Sequence, residues 1–277
     1  MNSIDGNLEE TPNFKNFSMW KYAYTAAIGA SHLATNEEIQ DNCSVVELDI
    51  CGEKYLLCAV ADGAGSAQFS NISSKYICNF FIRKAKIWLK NNSISNITRD
   101  VISFWFSLFQ KVINRAARIY KIDNIKQFAT TLLFAILSSK TNVFVQIGDG
   151  IIAKGDDKTL NCVFLPQNGE YLNTTFFATD KNISELFLYE KNNEKVKRLV
   201  MFTDGIEIIS FDFSSNKPHI AFFNPIFSHL LESDSFGFNK NTSDFLTGFL
   251  NSSRVNQRTD DDKTLVIASL CDIDSDL

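Results

Sequence analysis

CAVADGAGSAQFS, residues 58–70, joins two patterns at a single acid. A short apolar run stops at Asp62. It is followed by Gly63, Ala64, Gly65, Ser66 and Ala67, which carry almost no side chain. The run reads as a buried strand and the small residues as a tight turn. Downstream, residues 66–90 place Ile72, Tyr76, Phe80 and Ile87 near helical spacing, which predicts a long helix entered through that turn. Upstream, CSVVELDI (43–50) and EKYLLCAVAD (53–62) flank CGEK and read as a β-hairpin.

Working outward, WKYAYTAAIGASH (20–32) predicts a strand running into a glycine turn, and ATNEEIQDN (34–42) a polar loop. A second helix is expected over 97–121, with Ile102, Trp105, Phe106, Phe109, Val112, Ile113, Ala116 and Ile119 on its inner face. The period then changes. Residues 129–139, 141–149 and 150–155 read as three strands of a meander, extended by 161–166. Residues 167–180 read as an irregular surface loop, and 184–190 and 196–205 as strands. A short helix near 205–210, helices near 223–233 and 243–253, and a closing strand over 260–270 complete the chain. Strands that pair locally, with helices in two blocks, predict an antiparallel α+β layer structure rather than alternating βαβ units. The expected organisation is a loose arm (1–17), one domain (18–271) and an acidic tail (272–277).

Composition bounds the function. A chain of 277 residues with 45% hydrophobic and 21% charged residues can bury a substantial core. The net charge of −5 and the lack of a basic stripe speak against a nucleic-acid partner. The densest basic stretch, RKAKIWLK (83–90), interleaves its charges with apolar residues, as a solvated helix face does. The 25 phenylalanines read as core filling. None of the six cysteines forms a CxxC pair, so they read as buried free thiols of a reducing compartment. The polar N-terminus is unlike a signal peptide, and no apolar run reaches the roughly 18 residues a membrane span needs. The expectation is a cytoplasmic monomer with no membrane attachment.

The arrangement at Asp62 recurs. AVADGAG (59–65), VQIGDGI (145–151), VMFTDGI (200–206) and RTDDDKT (258–264) each set aspartates at the edge of an apolar strand. A lone Asp-Gly is ordinarily a turn signal. Converging acids, however, would repel one another at a cost of several kcal/mol unless a cation sat among them. Mg²⁺ and Mn²⁺ take such oxygen ligands. By spacing alone, turns and a metal site stand as equal readings.

In order, GASHLATNEEIQDN (29–42), AVADGAGSA (59–67), ATTLLFAIL (129–137), QIGDG (146–150), FTDGI (202–206) and DDDKTLVIAS (260–269) resemble the metal-dependent protein serine/threonine phosphatases, protein phosphatase 2C. The closest resemblance is to a bacterial branch in which DGAGSA replaces DGHGG; LPQNGEYLNTTFF (165–177) is similar to that branch as well. The resemblance implies a four-layer αββα sandwich of two antiparallel sheets flanked by helix pairs. It implies hydrolysis of phosphoserine and phosphothreonine by metal-activated water, with two core Mn²⁺ or Mg²⁺ ions and room for a third. Carried over by position, Asp62 bridges the core metals and the Gly63 carbonyl binds one of them. Asp204 and Asp261 are further core ligands, with Asp260 a rival for Asp261, and Asp262 falls where asparagine is common. Asp41 holds metal-bound water, and Asp149 joins Asp204 at the third ion. Ala64, Gly65 and Ser66 leave room for the phosphate.

Two departures bear on activity. His32 stands about where many members place a phosphate-holding arginine, and reads either as a phosphate ligand or as a structural histidine near a turn. Ala64 replaces the histidine that is a candidate proton donor, which predicts slower turnover. The implied partner is a phosphoprotein made by a bacterial serine/threonine kinase. Alternatives are a pseudophosphatase that binds phosphoproteins without turnover, a small-molecule phosphomonoesterase, and an Asp-rich fold stabilised by Ca²⁺. A flap carrying Glu170, Tyr171 and Asn173 over the cleft would favour protein substrates.

Overall fold

A computed structural model describes residues 17–167 and 175–273. In chain order the elements are β1 (Phe17–Ala27), α1 (Ala30–Thr35), β2 (Asn42–Ile50), β3 (Glu53–Ala61), α2 (Ser70–Leu89), α3 (Arg99–Ile119), β4 (Leu132–Leu137), β5 (Asn142–Ile147), β6 (Ile151–Gly155) and β7 (Leu160–Cys162). They continue with α4 (Ile183–Leu186), β8 (Leu188–Asn192), β9 (Arg198–Phe202), α5 (Glu207–Ser210), β10 (Phe211–Asp212), β11 (Lys217–Pro218), α6 (Ile220–Leu231), β12 (Gly237–Phe238), α7 (Lys240–Leu250), α8 (Ser253–Asn256) and β13 (Lys263–Ile273).

Strands β2-β3-β4-β5-β8 form one sheet and β12-β1-β13-β9-β6-β7 the other. All pairings in them are antiparallel except the short β1–β12 contact. The alternation of side chains along a strand explains the layers. In β3, Leu57, Ala59 and Ala61 face the core beneath α2 and α3, while Leu56, Cys58 and Val60 face the other sheet. In β9, Leu199 and Met201 face between the sheets, while Val200 and Phe202 pack beneath α6 and α7. Both faces being buried, these strands read as unbroken apolar runs. The result is the expected αββα sandwich, with three cores between four layers.

Several expectations are corrected. The apolar segments from 129 to 155 are not one meander. β4 and β5 pair in the five-stranded sheet, whereas β6 pairs with β7 and β9 in the other. The chain changes sheets at Gly148–Gly150, where Gly148 has φ of +107°. The inner face of α2 is Ile77, Cys78, Phe81, Ile82, Ala85 and Leu89, begun by the buried Ser73 and Ser74; Ile72 and Ile87 point to solvent. In α3, Val112 and Ile119 are likewise exposed. Residues 30–35 form a helix, so His32 is helical, and the segment 184–190 begins with a helical turn. All six cysteines are free, but Cys51, at the left-handed hairpin position before Gly52, is exposed.

Phe17 and Asp272, assigned by sequence to the arm and the tail, lie in strands, where Asp272 pairs with Ser18. Residues 1–16 and 274–277 lie outside the described residues. Among the described residues no helix is long and apolar enough to cross a membrane.

Candidate metal centre

Antiparallel pairing decides where the acids meet. Asp62 follows the C-terminal end of β3, and Asp41 precedes the N-terminal end of its partner β2. Asp204 follows β9 by two residues, and Asp260, Asp261 and Asp262 precede β13, which runs antiparallel to β9. Asp149 lies in the crossing between β5 and β6. All therefore fall at one end of the sandwich. Carboxylate oxygens of Asp62, Asp149 and Asp204 lie within 4.8 Å of one another.

Backbone contacts hold the Asp62 strand end in place. The Asp62 N–H donates to Thr131 Oγ1 (2.9 Å), and the Asp62 carbonyl accepts from the Thr131 N–H (2.8 Å) and Thr130 Oγ1 (2.9 Å). The two threonines of ATTLL thus hold the strand end from the neighbouring strand. A Cβ on Gly63 would lie 2.7 Å from the Ser70 Cβ, and one on Gly205 would lie 1.8 Å from the Asp262 carbonyl oxygen. Glycine after Asp62 and Asp204 is required by close approach, not by turn conformation.

The cluster is electrostatically unfavourable as it stands. Burial, then the charges of Asp41, Asp204, Asp261 and Asp149, push Asp62 well above the usual carboxylate range. Burial, then Asp149 and Asp261, raises Asp204. Burial also raises Asp41, with Asp262 and Asp204 adding to it, against the Thr203 hydroxyl that donates to Asp41 Oδ2 at 2.8 Å. Among the described residues, no lysine or arginine forms an ion pair with Asp62, Asp149 or Asp204. Oxygen-only donors, mutual repulsion and partial burial fit a hard divalent cation. The Thr175 hydroxyl donates to Asp149 Oδ2.

Asp261 is among the charges raising Asp62 and Asp204; Asp260 is not, and its carbonyl instead accepts from the Ser31 N–H (2.9 Å) and hydroxyl (2.7 Å). Asp262 turns away from the cluster. Its buried carboxylate accepts from the N–H groups of Gly29 (2.6 Å), Gln40 (2.6 Å) and Asp41 (3.4 Å). His32 Nδ1 lies 2.9 Å from Asp262 Oδ1, an ion-pair contact outside aligned hydrogen-bond geometry, and its Nε2 lies 3.7 Å from Glu37. Burial opposes protonation of His32, but Asp262, Asp261 and Glu37 outweigh it and hold the imidazole above its usual range. Ala64 is half-buried, and Gly65 and Ser66 are exposed beside the cluster.

Sequence reasoning missed Glu207. Its Oε1 is buried without a partner, and burial followed by Asp204 and Asp149 pushes its carboxyl up to about 8. The signal was present: an acid three residues after Asp204 at a helical start shares its face. Lys263, fully buried, donates to Asn256 Oδ1 (3.0 Å) and the Asp261 carbonyl (3.2 Å), tying the acidic loop from behind. Glu170, Tyr171 and Asn173 lie outside the described residues.

Known proteins share this plan. Serine/threonine-protein phosphatase 3 of Escherichia coli (strain K12) is 29% identical over 253 residues, covering 90% of this chain and 98% of that protein. A solved bacterial serine phosphatase shares the fold with a TM-score of 0.62 at 12% identity, covering 92% of this chain and 99% of its own. The catalytic domain of the serine threonine protein phosphatase PstP, solved with 2 manganese ions, does so with a TM-score of 0.60 at 14% identity, covering 92% of this chain and all of its own. The family described as Protein phosphatase 2C matches residues 28–250, a span that takes in Asp41, Asp62, Asp149 and Asp204 together, and the chain belongs to that family.

Proposed function

We propose that the protein is a metal-dependent phosphatase that removes phosphate from phosphoserine and phosphothreonine in proteins, opposing a serine/threonine kinase. The carrying observation is the convergence of Asp62, Asp149 and Asp204 from three loops onto one point. Asp62, Asp149 and Asp204 would hold divalent cations, Mn²⁺ or Mg²⁺, with Asp261, Asp41 and the Gly63 carbonyl as further oxygen donors. Such ions, when bound, supply an activated water nucleophile and offset charge on the phosphoryl group.

The chain's own residues do the rest. Asp41 accepts the Thr203 hydroxyl and so fixes the residue before Asp204. Asp262 pins Gly29, Gln40 and Asp41, which holds the first loop against the Asp62 turn. Asp262 and Glu37 flank His32 and favour its protonated form, in which it would serve as the phosphate-holding cation. The exposed Gly65 and Ser66 leave the approach open. Ala64 offers no proton to the departing alkoxide, so turnover is expected to be slow and to rise in Ala64→His.

The test is hydrolysis of p-nitrophenyl phosphate and a phosphothreonine peptide with Mn²⁺, Mg²⁺ or EDTA, on the wild type and Asp204→Asn. Metal-dependent turnover lost in Asp204→Asn supports the proposal. Absence of turnover with Mn²⁺ binding intact by calorimetry would favour a phosphoprotein-binding role instead.

A further inference from the structure

Helices α5, α6, α7 and α8 line an apolar groove of about 570 Å³. Ile208, Phe222, Pro225 and Phe245 supply its walls, and Arg254 and Arg258 its rim. Ile208 is 60% exposed and Phe245 45%, which is costly for side chains of this size unless something covers them. Among the described residues, neither arginine makes an ion pair, in a chain whose net charge is −5. Apolar walls and an unpaired cationic rim are complementary to an apolar side chain with acidic neighbours.

The position matters as much as the lining. Two of its lining residues lie close in sequence to the acidic loops. Ile208 follows Asp204 by four residues, and Arg258 precedes Asp261 by three. Those separations allow at most about 14 Å and about 11 Å of chain. Both are upper bounds, and an extended peptide spans them in at most four residues.

We infer that this groove docks the phosphoprotein substrate, taking an apolar side chain within four residues of the phosphorylated position, with an adjacent Asp or Glu held by Arg254 and Arg258. The inference rests on the phosphatase reading above and adds the substrate's sequence class to it. The groove touches no reacting atom, so it acts on KM for peptides and not on chemistry at small esters.

The experiment is steady-state kinetics with Mn²⁺ on phosphothreonine peptides in an alanine background. Leucine is walked from five residues before to five after the phosphothreonine, with Glu or Lys beside it. A single register within four residues should lower KM on the order of tenfold, with Glu preferred over Lys. Arg254→Glu/Arg258→Glu should reverse the Glu–Lys preference, and Phe245→Ala should erase the leucine effect. Both variants should leave p-nitrophenyl phosphate kinetics unchanged. The peptide series needs only the wild type, so it decides even if a variant fails to fold. A flat KM across the series on an enzyme active toward p-nitrophenyl phosphate overturns the docking inference and leaves the phosphatase reading standing. Absence of turnover on every substrate overturns the phosphatase reading, and the docking inference with it.

Discussion

Replacing Asp262 by alanine tests how the metal centre is held without touching a ligand. The carboxylate is 2% exposed and accepts from two backbone N–H groups at 2.6 Å, with a third at 3.4 Å. A hydrogen bond to a charged group contributes about 1.5–3 kcal/mol, and its loss leaves a buried N–H unpaired. Two such bonds sum to about 3–6 kcal/mol. Removing Asp262 also relieves its repulsion of Asp41 and Asp261, which offsets part of that. The net expectation is about 3–4 kcal/mol. For a domain of this size, each kcal/mol moves Tm by roughly 2–4 °C, so the shift should be roughly 10 °C. Asp262→Asn keeps one acceptor oxygen and should lose about half as much. Urea midpoints at unchanged slope, together with thermal melts, measure both. Activity should fall even in the folded fraction, because Gln40 also accepts from the Gly63 N–H (3.2 Å) through its carbonyl. An alanine variant melting within about 2 °C of wild type would refute the claim that Asp262 is the staple of this end of the fold.

Three further outcomes are expected. The metal-free protein should lose stability as pH rises from about 5 to about 8. Asp41, Asp62, Asp204 and Glu207 all have raised folded-state values, so their contribution is fully present below the ordinary carboxylate range and is lost as each ionises in the folded state. The Tm gain from Mn²⁺ should accordingly grow over the same interval, and a metal-free Tm flat across it, by calorimetry, would contradict this. Glu207→Gln should raise the metal-free Tm at pH 8 by roughly 2–4 °C, equivalent to about 1 kcal/mol, and leave it unchanged at pH 5; equal shifts at both pH values would show that Glu207 acts by packing alone. Asp149→Asn should melt near wild type yet lose roughly tenfold or more in kcat on p-nitrophenyl phosphate, and unchanged kinetics would remove Asp149 from the reaction.

Much of this arrangement was legible because apolar runs ending in Asp-Gly mark strand ends. Asp62 and Asp204 stand out on that rule alone. Asp149 shows where the rule stops. Asp-Gly serves a hairpin and a crossing between sheets equally well, and only the pairing of β6 with β9 distinguishes them. The buried face of α2 was misjudged for a different reason. Its first turns pack through Ser73 and Ser74, both fully buried, so close approach to the sheet is set by small polar residues that apolar counting ignores. In DDDK, three identical residues in a row separate Asp261 from its rival Asp260 only through the family resemblance. Asp262 is committed to three N–H groups, and Asp261, unlike Asp260, is among the charges that raise Asp62 and Asp204.

The division of labour between backbone and side chain explains why such a cluster survives folding. Two of the acidic loops are held by groups other than their metal-facing carboxylates: the Asp62 strand end by Thr130 and Thr131, and the 256–261 turn by Lys263. The three packed cores supply the stability that holds these strand ends in place against mutual repulsion. Because Asp62 follows the end of a strand in one sheet, Asp204 the end of a strand in the other, and Asp149 lies in the crossing between them, a cation bound by all three would join the two sheets directly. Metal binding should then stabilise the sandwich as a unit rather than a single loop. That is the arrangement to expect where the same repulsion that would weaken a metal-free fold at neutral pH becomes the affinity for a bound cation.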